Sequence, residues 1–552
     1  MITPEPGGWW HEYVCPVHHT ELLPPPTSGI ERRYPCEHGC ELAGEPWESA
    51  WLALEHQRNA RDLAGLPPKE ALEMLAGYRD LYTRLSETHD AAKPWMLAGR
   101  LFEQALSEAI WAVHAAVAVA GLIDRVDEHD AGRLVEVAAP LLRGIHETMV
   151  AARSILVGER NDVRSNFTAW LNAAGAATSR ALADLGEPVA DHGWITGPHG
   201  LYAHVRAAIL DDGWEWEGST YYHNFVLLAY LETLRGTDPA ALPADVAARL
   251  AAMVGVRESI ALGDGLLPAL HDSPYHRPAG ASQVRTEHRR VEALEYAESL
   301  ALAHAFLDLP AADSGSRVFA DVGYAVLRPP GREWMALVDF GPHGGSHGHL
   351  DKLALYLYGP GVSWQPDYGV GPYASPRRAM YRSTSAHPTF SVDGADQRET
   401  TGHLLGWSAD DARVVARFGC DDAYPGVTAV RHVELDAQGV FDVVQLRAAA
   451  ERDFAVHFRP DVAVAVRATP GGWRTDWGGA MPLACAHASS VPARLEPVPG
   501  WGPADDPQRH RRWLDWSTHA QEALFVTQWC PGVGRDGAVD VDLERAIEVM
   551  AT

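Results

Sequence analysis

Val318-Phe-Ala-Asp-Val-Gly-Tyr-Ala-Val-Leu-Arg328 divides the chain into two textures. Ahead of it, from about Pro46 to Leu309, apolar residues recur with a helical period in stretches rich in Ala and Leu, such as Leu101 to Leu122, Gly132 to Leu156 and Tyr221 to Leu234. Gly65-Leu-Pro-Pro, Gly186-Glu-Pro and Gly236-Thr-Asp-Pro punctuate them at intervals that allow antiparallel helix hairpins stacked in series, and an α/α toroid is one way to close such a series. Behind it come short alternating runs: Trp334 to Phe340, Leu353 to Tyr358, Val427 to Leu435 and Val440 to Leu446. Helices first and strands afterwards predict segregated domains, the second an antiparallel β-sandwich. The expected division is an N-terminal Cys/His segment (1–45), a helical toroid (46–312) and a sandwich (313–552), with the boundary near residues 308 to 316.

The chain has 552 residues, of which 46% are hydrophobic and 19 are tryptophan, a composition for folded domains with aromatic-lined clefts rather than for disorder. The formal charge of −27 opposes attraction to nucleic acid or anionic lipid. It would repel a long polyanionic glycan too, so an acidic-sugar substrate is expected to be short or to meet a locally positive site. The opening residues carry neither a basic segment nor an apolar run, so a cytoplasmic location is expected, and no stretch is read as a membrane span. Six cysteines are too few for a disulfide framework. Oligomeric state is not legible.

The most specific local signal is Ser346-His347-Gly348-His349-Leu350-Asp351-Lys352, followed by Asp367 in Gln-Pro-Asp-Tyr-Gly and by His387 in Ala-His-Pro-Thr. Histidines at i and i+2 of an extended segment share a face, and two imidazoles with a carboxylate can bind Zn²⁺ or Mn²⁺. In a chain with 27 histidines an arbitrary pair is more often two loop residues bonded to backbone. The order decides here: His-Gly-His-x-Asp-Lys, an Asp before Tyr-Gly, Ala-His-x-Thr, then Val392-Asp-Gly394 resembles the C-terminal signature of the heparinase II/III superfamily of polysaccharide lyases.

The resemblance implies a toroid joined to β-sheet domains, and β-elimination across the C4–C5 bond of uronates. Carried over residue by residue, it makes His347 catalytic and His349, Asp367 and His387 ligands of one divalent metal, Zn or Mn, with Pro388 departing from the Asn usual after the third ligand. Asp211-Asp-Gly-Trp214-Glu-Trp-Glu217-Gly-Ser-Thr-Tyr-Tyr222-His223 resembles the helix that delivers a catalytic tyrosine, which makes Tyr222 the candidate with His223 beside it; an aromatic run on a helix is otherwise usually core. Arg164-Ser-Asn166-Phe167 resembles the segment whose Asn neutralises the substrate carboxylate, and Phe167 stands where some alginate-cleaving relatives have a histidine, which tilts the expectation toward glycosaminoglycans. Tyr373 matches a position that contacts substrate in alginate-type relatives, though Gly-Pro-Tyr also reads as a turn. Arg164, Trp214, Glu217, Tyr275 and Arg382 complete the expected substrate contacts.

The implied chemistry suits this set. A uronate C5 proton becomes removable only when the carboxylate is neutralised and the enolate meets positioned donors. A Tyr or His would take the proton and a Tyr or His would protonate O4, while an unperturbed tyrosine, with a pKa near ~10, is a poor base. Attack from a chain end on oligosaccharides is expected. Cys15-Pro-Val-His18-His19 and Cys36-Glu-His38-Gly-Cys40 could hold a second, structural Zn²⁺, or could form a flap at the cleft, since similar openings occur in oligoalginate-lyase-like relatives. Two other classes compete: a glycoside hydrolase, which would need opposed carboxylates where Glu215 and Glu217 are only adjacent, and a non-catalytic glycan-binding protein on the same fold.

Overall fold

In the computed structural model the described residues are 2–26, 32–85, 96–263, 265–276, 286–307, 309, 315–329, 331 and 333–551. An N-terminal segment with a small hairpin, β1 (Tyr34–Pro35) and β2 (Glu41–Leu42), precedes nine helices: α1 (Trp47–Leu63), α2 (Pro68–Leu85), α3 (Ala105–Ile123), α4 (Glu128–Arg153), α5 (Asn166–Asp184), α6 (Leu201–Ala208), α7 (Thr220–Leu234), α8 (Ala244–Ile260) and α9 (Glu287–Phe306). Most packing is between alternate helices, with α4 also lying against α5. α1, α3, α5, α7 and α9 lie side by side in one row, with α2 against α4 and α6 against α8. An ion pair at 2.9 Å from Arg61 in α1 to Glu295 in α9 joins the two ends of the row and curls it into an incomplete toroid.

The middle helices of this row, α3, α5 and α7, are buried over most of their surface, as helices flanked on several sides must be, while α1 and α9 at its ends keep charged faces. In α7, thirteen of fifteen residues are buried, Tyr222 and His223 among them. α3 is long and apolar enough to cross a membrane by length and composition, contrary to the reading that no stretch is; it lies mostly inside the protein, against α1 and α5. Gly186 and Gly236 end α5 and α7 in the left-handed region (φ +80° and +77°), where a residue without Cβ is favoured.

Past α9 the strands begin at Arg317; most of the expected boundary, 308–316, lies outside the described residues. β3 (Arg317–Phe319), β4 (Tyr324–Leu327), β5 (Met335–Asp339), β6 (Leu355–Gly359) and β7 (Val362–Gln365) form an antiparallel sheet in sequence order. The run 318–328 forms a hairpin rather than a single strand. Gly323 turns it with φ +80°, and a Cβ there would lie 1.9 Å from the Gly341 Cα. Behind stands a ten-stranded antiparallel sheet built on two long partners, β12 (Val440–Phe458) and β17 (Arg511–Pro531).

The two sheets share a core in which Leu327, Val338 and Leu357 meet Phe418, Val444 and Phe525. The other face of the five-stranded sheet, with Val326, Leu337 and Tyr356, packs on Trp214, Val256 and Ile260 of the helical half. The small sheet is therefore buried on both faces, which is why its strands read as near-continuous apolar runs. Its loops are held rigidly against the toroid, and the site lies there.

Candidate active site and metal centre

Two helix N-termini open onto one cleft. Ser165 caps α5, its hydroxyl accepting the Phe167 N–H at 3.2 Å, so Asn166 occupies the first position of the helix. Ser219 caps α7 in the same way through the Tyr222 N–H, at 3.4 Å. Since α5 and α7 are neighbours in the inner row, Asn166 and Tyr222 are presented to one space, a cleft of about 1020 Å³. The Asn166 amide oxygen is buried and has no hydrogen-bond partner among the described residues.

The β half supplies the opposite wall. His347 ends a short 3₁₀ turn, Gly345–His347, after Gly344 at φ +80°; a Cβ on Gly344 would lie 2.2 Å from the Glu217 carbonyl oxygen. Only glycine lets this loop come so close to the helical half. His347 then stacks on Tyr222, ring centroids 3.7 Å apart and planes 14° from parallel, although the two residues belong to different halves of the chain. Its Nδ1 pairs with Glu217 Oε1 at 2.7 Å. The carboxylate accepts, so Nδ1 carries a proton and Nε2 is the nitrogen left to exchange one, with no hydrogen bond among the described residues. The Tyr222 hydroxyl lies 2.6 Å from that of Tyr373, whose ring has Arg378 on it at 4.4 Å and His11 stacked at 4.5 Å.

Burial raises the Tyr222 phenol well above its ordinary value, and its hydrogen bond with Tyr373 opposes that rise without cancelling it. Tyr373 is raised well above the usual range as well, first by burial and then by the neighbouring Tyr222. Both hydroxyls therefore keep their protons at neutral pH. Of the groups brought together, the imidazole can accept a proton and the phenol can give one.

Beneath His347 lies the predicted ligand set. His349 Nδ1 and His387 Nε2 are 3.0 Å apart, and the Asp367 carboxylate lies 3.6 Å from the first and 3.7 Å from the second. The outward nitrogens are committed as donors, His349 Nε2 to Asp272 Oδ1 at 3.1 Å and His387 Nδ1 to the Ser383 carbonyl at 2.8 Å. Two lone pairs and a carboxylate then face one fully buried point, which fits a divalent cation held by three protein ligands. A second buried group, His271, Asp339 and Asp351, also converges, but Lys352 already pairs with Asp339, and His271 bonds Asp339 at 3.2 Å. Burial works to lower the His271 pKa, yet hydrogen bonds and charge from Asp339 and Asp351 raise it to about 10, so this group is an internally neutralised ion cluster.

Several expected contacts are placed elsewhere. His223 does not line the cleft: it is buried, accepts the Glu215 N–H at Nδ1 (3.2 Å) and donates from Nε2 to the Met253 carbonyl (2.9 Å), which braces the 215–217 loop. Burial lowers its pKa to about 4, so the ring is neutral. Trp214 is fully buried against His223 and Tyr324, because the loop turns its side chain into the inter-domain core. Arg382 spends its guanidinium on the Gly348 carbonyl (2.9 and 3.0 Å), shaping the histidine loop. Arg164 lies over Trp216, and only the tryptophan lines the cleft. Glu217 lines it but is occupied by His347, and Tyr275 lines it with its hydroxyl bonded to Asp461 at 2.8 Å. Glu215 is buried behind Glu217, its carboxyl raised well above the usual range by burial and then by the Glu217 charge, so the two do not face each other across a bond.

The sequence reading passed over Asp272 and Arg378. Asp272 lies within the His-Asp-Ser-Pro-Tyr-His stretch, next to residues that drew attention, and bridges His349 to Arg378 Nη2 (2.7 Å). No spacing signal marks Arg378.

Residues 311–496 match the heparinase II/III-like, C-terminal family. An alginate lyase of Stenotrophomonas maltophilia (strain K279a) is 25% identical over 456 residues, covering 70% of this chain; the chain spans 59% of the length of that relative. Among solved structures, a heparan sulfate lyase HepC mutant from Pedobacter heparinus superposes with a TM-score of 0.64 at 16% identity, covering 92% of this chain and 82% of that one. A heparinase III structure gives the same TM-score and identity over 87% of this chain and 76% of its own. At such identities the structural likeness speaks for the fold.

Proposed function

We propose that the chain, which matches the heparinase II/III-like family over residues 311–496, is a polysaccharide lyase of that superfamily cleaving uronate-containing glycans by β-elimination. The observation that carries this is the stacked Tyr222–His347 pair, contributed by two domains, with Glu217 bonded behind the imidazole and Tyr373 beside the phenol. The Asn166 amide and the N-terminus of α5 neutralise the C5 carboxylate and support the enolate. His347 Nε2 takes the C5 proton, the electron pair forms the C4=C5 bond as C4–O4 breaks, and the Tyr222 hydroxyl gives its proton to O4. The proton on His347 then returns through solvent or Tyr373 to restore Tyr222. A Zn²⁺ or Mn²⁺ held by His349, Asp367 and His387 would serve as a structural tie under the histidine loop.

The lining bears on substrate. Five arginines and nine carboxylates of the described residues face the cleft, an unfavourable field for heavily sulfated chains. Unsulfated uronate oligosaccharides suit it better. The alginate lyase relative and the Tyr222–Tyr373 pair favour alginate. A second reading, hyaluronan or unsulfated chondroitin, is favoured by Phe167, which leaves no imidazole beside Asn166. The N-terminal segment on one side of the cleft favours attack from a chain end.

Incubation with alginate, hyaluronan and chondroitin oligosaccharides, read by the ultraviolet absorbance of the unsaturated uronate, tests the proposal. Cleavage without that absorbance would instead establish a hydrolase, and binding without cleavage of any of them a glycan-binding protein. Broad intermediate fragments early in a polymer digest would refute attack from the end.

A further inference from the structure

Outside the cleft, one cluster has the geometry of a site that the lyase chemistry does not use. His18 Nδ1 lies 3.5 Å from Cys15 Sγ, 3.4 Å from Cys36 Sγ and 3.5 Å from Cys40 Sγ, and all four ligand atoms fall within 4.8 Å of one another. A tetrahedral zinc with Zn–S of about 2.3 Å and Zn–N of about 2.0–2.1 Å separates S from N by roughly 3.5 Å. The three sulfurs are free thiols rather than disulfides.

The backbone around them is built for thiolates. The His18 N–H donates to Cys15 Sγ and the His38 N–H to Cys36 Sγ, each at 3.4 Å, so two backbone dipoles point at the sulfurs. Each ligand pair sits on a tight turn completed by a left-handed residue, His19 (φ +62°) in the first and Gly39 (φ +88°) in the second. The Gly39 N–H closes the second turn on the Cys36 carbonyl at 3.0 Å, and the Cys36 N–H bonds the Cys40 carbonyl at 2.8 Å.

We propose that Cys15, His18, Cys36 and Cys40 form a structural Cys₃His zinc site that ties the N-terminal segment into a fixed wall of the cleft. The wall follows from what the knuckle touches. Upstream of it, Trp10 and His11 line the cleft, and His11 stacks on Tyr373. On its other side, His38 meets Asp506 at 3.2 Å, and the Gln508 amide donates to the His18 carbonyl at 3.3 Å, both in a loop of the β half. Zinc would thus hold one small element against both domains, whatever reaction the cleft performs.

The test uses the full chain. Cobalt-loaded protein should show a thiolate-to-cobalt charge-transfer band, which the His349, Asp367 and His387 set cannot give, and Asp367→Ala should leave that band in place. By elemental analysis Cys36→Ser and His18→Ala should each carry one zinc fewer per chain than wild type. His18→Cys, which makes a four-cysteine set, should keep the metal, and His19→Asn should be neutral. Hydrogen exchange at residues 9–11 should accelerate when the thiolate-bound zinc is stripped. A cobalt-loaded wild type without the charge-transfer band, or a Cys36→Ser variant with undiminished zinc, overturns the site; unchanged exchange at residues 9–11 overturns its role in fixing the wall.

Discussion

Replacing Glu217 by Gln removes one charge and almost no volume, and the structure says what that should cost. The Glu217 carboxylate accepts from His347 Nδ1 at 2.7 Å, with the two side chains only 5% and 12% exposed, so it both fixes the tautomer and stabilises the imidazolium formed when Nε2 takes a proton. A charge-assisted hydrogen bond of this kind contributes ~1.5–3 kcal/mol, which over one transition state corresponds to ~10- to 10²-fold in rate. The amide adds a second penalty: it can present its N–H₂ to Nδ1, placing the ring proton on Nε2, where it blocks the base. Together Glu217→Gln should lower kcat by ~10²- to 10⁴-fold with little change in KM. The assay is initial-rate formation of unsaturated uronate, with thermal unfolding to verify the fold. His347→Ala should lose a similar factor, and the double variant no more than the worse single one, because the pair acts as a unit. Near-wild-type turnover of Glu217→Gln, or losses that multiply in the double variant, would refute the assignment of His347 as base.

Tyr222→Phe should cost ~10²- to 10⁴-fold in kcat while barely moving Tm, because among the described residues the lost hydroxyl bonds only that of Tyr373 and the ring keeps its stacking on His347. His223→Ala should do the reverse, lowering Tm through the orphaned Glu215 N–H and the lost contact with α8 with a smaller kinetic effect, and a dead but stable His223→Ala protein would reassign the proton carrier. Asp367→Ala should lower Tm and remove one metal from the purified protein, and exhaustive chelation, which also strips the thiolate-bound zinc, should lower Tm at least as far; purified wild type holding no metal at His349, Asp367 and His387 would sink the ligand assignment. His204 and His223 are held at pKa values of about 4 and His487 at about 3, all by burial, so each contributes stability that is present above the unfolded-state value near ~6.5 and fades as pH falls toward the folded one, on the order of 2 kcal/mol apiece at pH 5. Urea unfolding at pH 7 and pH 5 should show a steep acid loss, and equal midpoints would contradict it.

The change of texture around residue 318 was legible because period is a local property. Helices at Leu101 to Leu122 and Tyr221 to Leu234 were read within a few residues of Ala105–Ile123 and Thr220–Leu234. What local pattern could not show is which face of the small sheet meets which partner; burial on both faces comes from a three-layer arrangement that no single strand encodes. The site followed the same division. His347, His349, Asp367 and His387 stand in one ordered stretch, and the structure brings the last three together; Asn166 and Tyr222 sit behind serine N-caps that the sequence displays. Trp214, Arg382 and His223 do not line the cleft, because which way a side chain turns is set by the packing around it and not by its place in a motif. The 214–217 loop turns Trp216 and Glu217 to the cleft and Trp214 to the core, and in α7 Tyr222 faces the cleft while His223, the next residue, points into the core.

Asp272 makes these pieces one device. Its backbone N–H donates to the His347 carbonyl at 3.1 Å, one carboxylate oxygen receives His349 Nε2, and the other receives Arg378, which also holds the Ser346 carbonyl at 3.0 Å and lies over Tyr373. A metal held by His349 would fix the imidazole whose far side bonds Asp272; Asp272 holds Arg378, and Arg378 bonds the Ser346 carbonyl and lies over Tyr373, next to the proposed base and tyrosine pair. On the proposed mechanism the ligand set touches none of the reacting groups, so its contribution would be positional. Removing the metal should therefore loosen the alignment of His347 with Tyr222 while both remain chemically intact, which separates it from the loss of either group.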